Sequence, residues 1–445
     1  MVDQLRLLEV CEGFFIRSAL EVTSAIENNM RGEKTMSRIG IGFIIIALIG
    51  SISLVSAKGW PSSNNSASEE SEWVGSWTAS MQAPAQDGNS HEGFKDQTIR
   101  LILRPHMDGD QMRIRLSNEF GSLPLSMKEV RVAVSKEGAS VDSETDQVIT
   151  FNGEKSVTIP PGEKQYSDSI EFPISADQNL AVSLSVDGET GPTTWHQRSN
   201  QTVYMSEEGN HAGDVEGTSY TSKEEAWFWL DRLEVVPNHS VDGALVIIGS
   251  SIANGNYSTM NANNRWPDYL ANRMNEEEAH VNMSVLNAGV SANHLINSEE
   301  GKGENALARL DRDVLSQEGI KAVLLHEGIN DLRHYPEYDS EKIIDRMKAI
   351  IKATHEKGLD IYGGTLTPYK NSDMYTEEGE KTRQEVNDWI RTSGAFDDVI
   401  DFDKALRDPD DPAKYLPKYD SGDHLHPNDE GYEKMADTVD LSIFE

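Results

Sequence analysis

Apolar residues along this chain follow two rhythms, and the change between them falls near residue 240. From Trp73 to about Val236 the spacing is two. Ile99, Leu101 and Leu103 share one stripe with Arg100 and Arg104 between and after them, and Met112, Ile114 and Leu116 alternate with Arg113 and Arg115 after an Asp108-Gly109 turn. "VRVAV" at Val130 to Val134, "SVTI" before Pro160, "SIEFPI" around Phe172 and "LAVSLSV" at Leu180 to Val186 continue the series. Short strands at this spacing predict an all-β, sandwich-like domain over residues 73–236. Trp227 and Trp229, two apart, are expected on one side of a strand and in its core rather than on a sugar platform.

After Gly243 strand-like runs alternate with helical ones. "ALVIIG" is followed by "WPDYLANRM", "HVNMSVLNAG" by "NALARLDRDVLSQEG", and "IKAVLLHEG" by "SEKIIDRMKAIIKATHEKG". "LDIYGGTLTP", a helix around Val386 to Ile390, "DDVIDF" and a helix after Pro427 complete the pattern. It predicts an α/β domain over 243–445, with mostly parallel strands, right-handed crossovers and helices on both faces. Ligands of such open sheets bind beyond the carboxyl ends of the strands. Ser251, Gly289 and Gly328 all fall there. Pro237 to Asp242 reads as a hinge, too short for free domain movement, so the β domain is expected to shape the substrate cleft rather than to act as a tethered module.

Two domains agree with the 445 residues, because single cores stop growing at about 250 to 300. Asp and Glu number 75 against 40 Lys and Arg, a formal charge of -35. That excess repels phosphate backbones and argues against a nucleic-acid partner; it suits a salt-adapted and an ordinary acidic secreted protein equally. Ile39 to Ala57, "IGIGFIIIALIGSISLVSA", follows Arg31, Lys34 and Arg38 and ends in small residues, which predicts a signal peptide over 36–57 and a secreted product. An uncleaved anchor is the alternative, with the membrane as a partner only in that case. Residues 1–35 are too long and mixed in charge for a signal-peptide flank; they read as a leader, with translation starting at Met30 or Met36. The single cysteine, Cys11, lies there, so no disulfide is expected in the mature chain. Residues 58–72, with "GWPSSNNSASEESE", read as a solvated linker.

The candidate chemistry begins at "IIGSSIANG", where a buried strand gives way to Gly249 and two serines. Alone, this reads first as an ordinary turn with a capping serine, and only partners elsewhere in the chain change that. A nucleophilic serine needs a base, an acid to orient it and donors for an oxyanion. "NAGVSAN" from Asn287, "HEGIND" from His326 and "GDHLHPNDEGY" from Gly422 offer these at later strand ends, with Asp423 and His426 three apart.

Gly249-Ser250-Ser251-Ile252, Gly289, Gly328-Ile329-Asn330-Asp331 and Asp423-His424-Leu425-His426-Pro427 resemble, in order, the four blocks of the SGNH hydrolases, the GDSL esterases and lipases. "WVGSWTAS", "RWPDYLANRM", "GTLTPY" and "DHLHPNDEGY" are similar to a secreted subgroup of arylesterases and acylhydrolases associated with xylan-degrading systems. The resemblance implies a flavodoxin-like, three-layer fold and an acyl-enzyme route without metal or cofactor. It also implies Ser251 as nucleophile, His426 as base and then acid, and Asp423 as the group orienting His426. The oxyanion would be held by the N–H groups of Ser251 and Gly289 and the Asn330 amide. Ser250 stands where the family has Asp, which leaves the triad intact but holds the turn less firmly. The implied substrates are short acyl, above all acetyl, esters of carbohydrate or small aryl and alkyl alcohols. Lipids and thioesters are the alternative within the family, and a carbohydrate-binding protein with a decayed hydrolase domain the alternative outside it.

Other residues have plainer readings. Asp408 to Pro412, "DPDDP", is expected to be a turn rather than a calcium site; His294 and His326 line the acyl or alcohol pocket or are wall histidines; Glu327 is structural.

Overall fold

The period-two stripes become two antiparallel sheets that share one core. One sheet orders its strands Tyr220–Glu224, Val203–Glu208, Gln97–Leu103, Leu180–Val186, Leu125–Val134 and Gln147–Ile149, with Val157–Ile159 also pairing on Leu125–Val134. The other orders Val74–Thr78, Leu230–Val236, Gly109–Ser117 and Lys164–Tyr166, with Ile170–Ile174 also on Gly109–Ser117. Ile99, Leu101 and Leu103 meet Met112, Ile114 and Leu116 across that core. Asp108-Gly109 is therefore not a hairpin turn: it carries the chain from one sheet to the other, because both stripes seek the same interior from opposite sides. Trp227 and Trp229 are both in the core, but Trp229 has φ +59, so period two breaks there and the pair does not share one strand face.

The computed structural model describes residues 73–276, 280–334 and 336–445, and these lie in one compact unit. The expectations for the leader, signal segment and linker lie outside the described residues. Among the described residues no helix is long and apolar enough to cross a membrane.

The second half is a parallel sheet of β1 (Gly243–Gly249), β2 (Met283–Gly289), β3 (Ile320–His326), β4 (Asp360–Gly364) and β5 (Asp398–Ile400). Their order, β2-β1-β3-β4-β5, is the flavodoxin-like one. Strand β1 is buried from end to end because both faces are covered. Ala244, Val246 and Ile248 face α3 (Ala306–Leu310), α4 (Ser340–His355) and α5 (Glu377–Thr392). Leu245 and Ile247 face α1 (Ser251–Asn254), α2 (Trp266–Met274), α6 (Phe402–Leu406) and α7 (Asp429–Thr438). Helix α3 is shorter than its sequence pattern, since Asp311–Leu315 widens into a π-helical turn. Arg232 of the sandwich reaches that turn, donating to the Arg312 and Ser316 carbonyls, which accounts for groups the regular ladder would have used.

The expected hinge is tied down. The Asn282 N–H donates to Asp242 Oδ2 at 2.8 Å, Asn282 Nδ2 donates to the Ser240 carbonyl at 2.7 Å, and the Asp242 N–H returns a bond to the Asn282 carbonyl at 2.8 Å. Deeper in, sandwich and parallel layer meet through polar side chains. His106 of the sandwich stands with Nδ1 2.5 Å from the Val285 carbonyl and Nε2 2.9 Å from Asp268 Oδ1. Arg265 donates to Asp268 Oδ2 at 2.9 Å. Burial opposes a charge on Asp268, but Arg265 and His106 outweigh it and hold the carboxyl well below the usual range.

Removing one member of such a buried set strands the others. Asp268→Ala should lower the unfolding free energy by about 3–5 kcal/mol, measured by urea denaturation near neutral pH. Because folding favours the charged form, the contribution is complete above the unfolded carboxylate's pKa of about 3.9 and fades only as the pH falls below it. A loss under about 1 kcal/mol would show that the set contributes little.

Candidate active site

The stretch that raised the question folds as a strand, a sharp turn and one helical turn. Strand β1 ends at Gly249, Ser250 has the extended φ of -101°, and Ser251 opens α1, which Gly255 closes at φ +90. Ser251 thus stands at the carboxyl end of the central strand, with its N–H in a first turn that has no intrahelical acceptor for it. Its Oγ lies 2.7 Å from His426 Nε2. His426 Nδ1 lies 2.6 Å from Asp423 Oδ2, so that N–H points at the carboxylate and Nε2 is left to accept from the serine. Asp423 Oδ1 accepts from the N–H groups of Leu425 and His426, each at 2.9 Å, and from Ser421 Oγ at 2.9 Å. Burial raises the Asp423 pKa, but His426 and these backbone donors prevail and hold it far below the ordinary carboxylate value.

The loop bearing Asp423 and His426 is fastened to the serine side. Tyr432 Oη donates to the Asn256 carbonyl at 2.6 Å, and Asp429 accepts from the Thr259 N–H at 2.8 Å and Asn264 Nδ2 at 2.7 Å. Tyr257 stacks on His426, with ring centroids 5.0 Å apart and planes inclined by 25°.

The oxyanion donors need one correction. Ser251 and Asn330 line the same cleft, and Asn330 Nδ2 directs one N–H to the Asn293 carbonyl at 3.0 Å, leaving its second N–H available. Gly289 does not join them. Its N–H donates to Asn287 Oδ1 at 2.9 Å, and the residue is in strand register with Gly249 rather than at the cleft. A Cβ there would come within 2.4 Å of the Asn254 nitrogen, so the glycine serves the close approach of α1 to β2. Three residues on, Ala292 lines the cleft with φ +60. The glycine after a strand was the visible signal; the left-handed alanine was not, because only the folded backbone shows its φ.

Arg309 is a second residue the sequence did not disclose. Fully buried, it donates from Nη2 to the Gly249 carbonyl at 3.1 Å, from Nη1 to the Ala288 carbonyl at 2.7 Å, and from Nε to Asn293 Oδ1 at 2.9 Å. Asp331 completes the clamp on this loop, accepting from the N–H groups of Leu295 and Ile296, each at 2.9 Å. Burial pushes the Asp331 carboxyl up to about 6. Where the family has Asp before the nucleophile, the Ser250 hydroxyl faces the carboxyl of Glu327, which burial and the nearby Asp331 push well above the usual range.

The remaining singled-out residues lie elsewhere. His294 and His326 are buried, each pushed down to about 4 by desolvation, and neither lines the cleft; His334 does. His424, at φ +63, turns its Nδ1 to Asp420 Oδ2 at 2.5 Å. In the Asp408 to Pro412 turn, Asp411 pairs with Lys370 and Lys414, each at 3.0 Å.

A family model described as GDSL-like Lipase/Acylhydrolase matches residues 247–434. No curated protein sequence matches the chain. Among solved structures, a lipolytic protein of the G-D-S-L family from Desulfitobacterium hafniense DCB-2 is 22% identical, with 45% of this chain and 98% of that one covered and a TM-score of 0.36. The M. smegmatis aryl esterase is 12% identical over 44% of this chain and 95% of its own, with a TM-score of 0.36. Est24, a carbohydrate acetylesterase from Sinorhizobium meliloti, is 13% identical over 43% of this chain and 94% of its own, again with a TM-score of 0.36. Residues 247–434, lying between β1 and α7, therefore carry a domain that matches the GDSL-like lipase/acylhydrolase family, and the protein is a hydrolase of ester bonds.

Proposed function

We propose that the protein is a secreted serine esterase that removes short acyl groups, above all acetyl, from carbohydrate or small aryl and alkyl esters. The observation that carries this reading is the unbroken chain from Ser251 Oγ through His426 to Asp423, opening on a cleft of about 510 Å³. His426 Nε2 takes the proton as Ser251 Oγ attacks the ester carbonyl. The tetrahedral oxyanion is held by the N–H groups of Ser251 and Ala292 and by the Asn330 amide, with Ala292 in the place first given to Gly289. His426 then returns the proton to the departing alcohol, and water repeats the sequence on the acyl-enzyme.

The walls of the cleft support a short acyl group and a polar alcohol. Tyr257, Ala292 and Leu425 are its apolar side chains and, Gly301 apart, the other lining residues are polar or charged, so a long fatty chain would find few apolar side chains to pack against. The apolar run at Ile39 to Ala57, with basic residues before it and small ones at its end, supports export. The sandwich supplies Gln197 and Arg198 to the cleft, which supports a shaping role for residues 73–236.

The test is hydrolysis of p-nitrophenyl acetate against p-nitrophenyl palmitate. A catalytic efficiency that falls with chain length agrees with the proposal; a preference for palmitate makes the protein a lipase. On acetate, Ser251→Ala should abolish turnover, whereas Ser250→Ala should only reduce it. The reverse ranking would reassign the nucleophile. Asn330→Ala should lower kcat by about 10²–10³-fold, with KM changed far less, as expected for a donor that acts on the oxyanion. Protonated His426 cannot accept the serine proton, so log(kcat/KM) should fall with unit slope on the acid side, and a flat acid limb would remove His426 as the base.

A further inference from the structure

We propose that Arg198 is a substrate-binding residue lent to the catalytic cleft by the sandwich, and that the ester it selects carries a carboxylate. This rests on the esterase reading above and deepens it. Arg198 lines the cleft together with Ser251, Tyr257 and His426, although it belongs to the first half of the chain. Its side chain is exposed there.

Its backbone is held at φ +57, a left-handed conformation that non-glycine residues rarely adopt. What holds it is Asn254, the last residue of α1: Asn254 Nδ2 donates to the Arg198 carbonyl at 2.7 Å. Asn254 is in turn fixed from the sandwich side, with Oδ1 2.8 Å from His196 Nε2 and its carbonyl accepting from Asn200 Nδ2 at 3.0 Å. The strained turn is therefore bolted to the helix that begins at the nucleophile. A strain held by so many bonds presents a side chain at a set place.

The guanidinium itself is unengaged. Among the described residues the other arginines have side-chain hydrogen bonds, apart from Arg346 on helix α4. In a chain with 75 carboxylates for 40 basic residues, an arginine in a cleft that no carboxylate has captured is conspicuous by charge alone. The other cations of the cleft are occupied: Lys302 pairs with Glu299 at 2.7 Å, and Arg333 donates to the Asp373 carbonyl at 3.1 Å.

One open guanidinium fork matches one carboxylate. A phosphate dianion fits less well, because Glu300 and Asp373 also line the cleft and the whole protein is anionic. An acylated uronic acid unit is a natural substrate of this chemistry.

The experiment compares paired small esters with the full chain. On the alcohol side the pair is para-acetoxybenzoate and its methyl ester; on the acyl side it is p-nitrophenyl hemisuccinate and p-nitrophenyl pentanoate. The wild type should favour the acidic member of at least one pair, and Arg198→Gln should cut that acidic-to-neutral ratio of kcat/KM by about tenfold, with Arg198→Lys restoring part of it. The ratio is unaffected by any misfolded fraction, since both probes lose it equally. A ratio that Arg198→Gln leaves unchanged in both pairs, or an Arg198→Gln loss equal on acidic and neutral members, overturns the proposal while the esterase reading stands. A wild type inert toward all four probes overturns both.

Discussion

The active site depends on one buried cation. Arg309 sits beneath the carboxyl ends of β1 and β2 and binds the Gly249 and Ala288 carbonyls, at the ends of the strands that lead into the loops carrying Ser251 and Ala292. A strand end that turns sharply leaves carbonyls pointing into the fold, where an unmet acceptor is costly. Five guanidinium donors in a rigid fork can meet several at once. Arg309 does so, and by also binding Asn293 it sets the spacing between the serine turn and the facing loop. Its charge is answered by Asp313 at 3.4 Å, and burial still lowers its pKa.

That arrangement also joins the two halves of the molecule close to Ser251. Arg309 Nη1 also lies 3.3 Å from Ser80 Oγ, and His196 holds Asn254, so the sandwich reaches the Ser251 turn through Arg309 on one side and through the end of α1 on the other. The contacts are polar and directional rather than greasy. They fix angles, where an apolar interface would mainly fix proximity.

Much of this architecture is legible from the sequence, because it follows from local periodicity. Leu180–Val186 and Trp266–Met274 coincide with their apolar runs, and the strand-helix alternation after Gly243 leads directly to the parallel sheet. Asp423 and His426 are readable from their spacing, since three residues bring a carboxylate and an imidazole together within one turn. What was not legible is whatever depends on distant partners or backbone sign. Arg309 looks like any helical arginine until its acceptors are known. Ala292 carries no mark of its left-handed φ, whereas Gly289 advertises a freedom that the fold uses for close packing instead. Asp108-Gly109 has the letters of a hairpin but crosses between sheets, a distinction made by the whole core.

Ser250 in the position of the family's aspartate has a consequence for recognition by pattern. A carboxyl does stand beside the Ser250-Ser251 turn, but Glu327 brings it from the end of β3 rather than from the residue next door. Function constrains the place where a group stands in space, and different points of the backbone can fill that place. A four-letter signature records only one of those routes. A search that insists on the letters would pass over this chain, although the turn and the carboxyl beside it are both present.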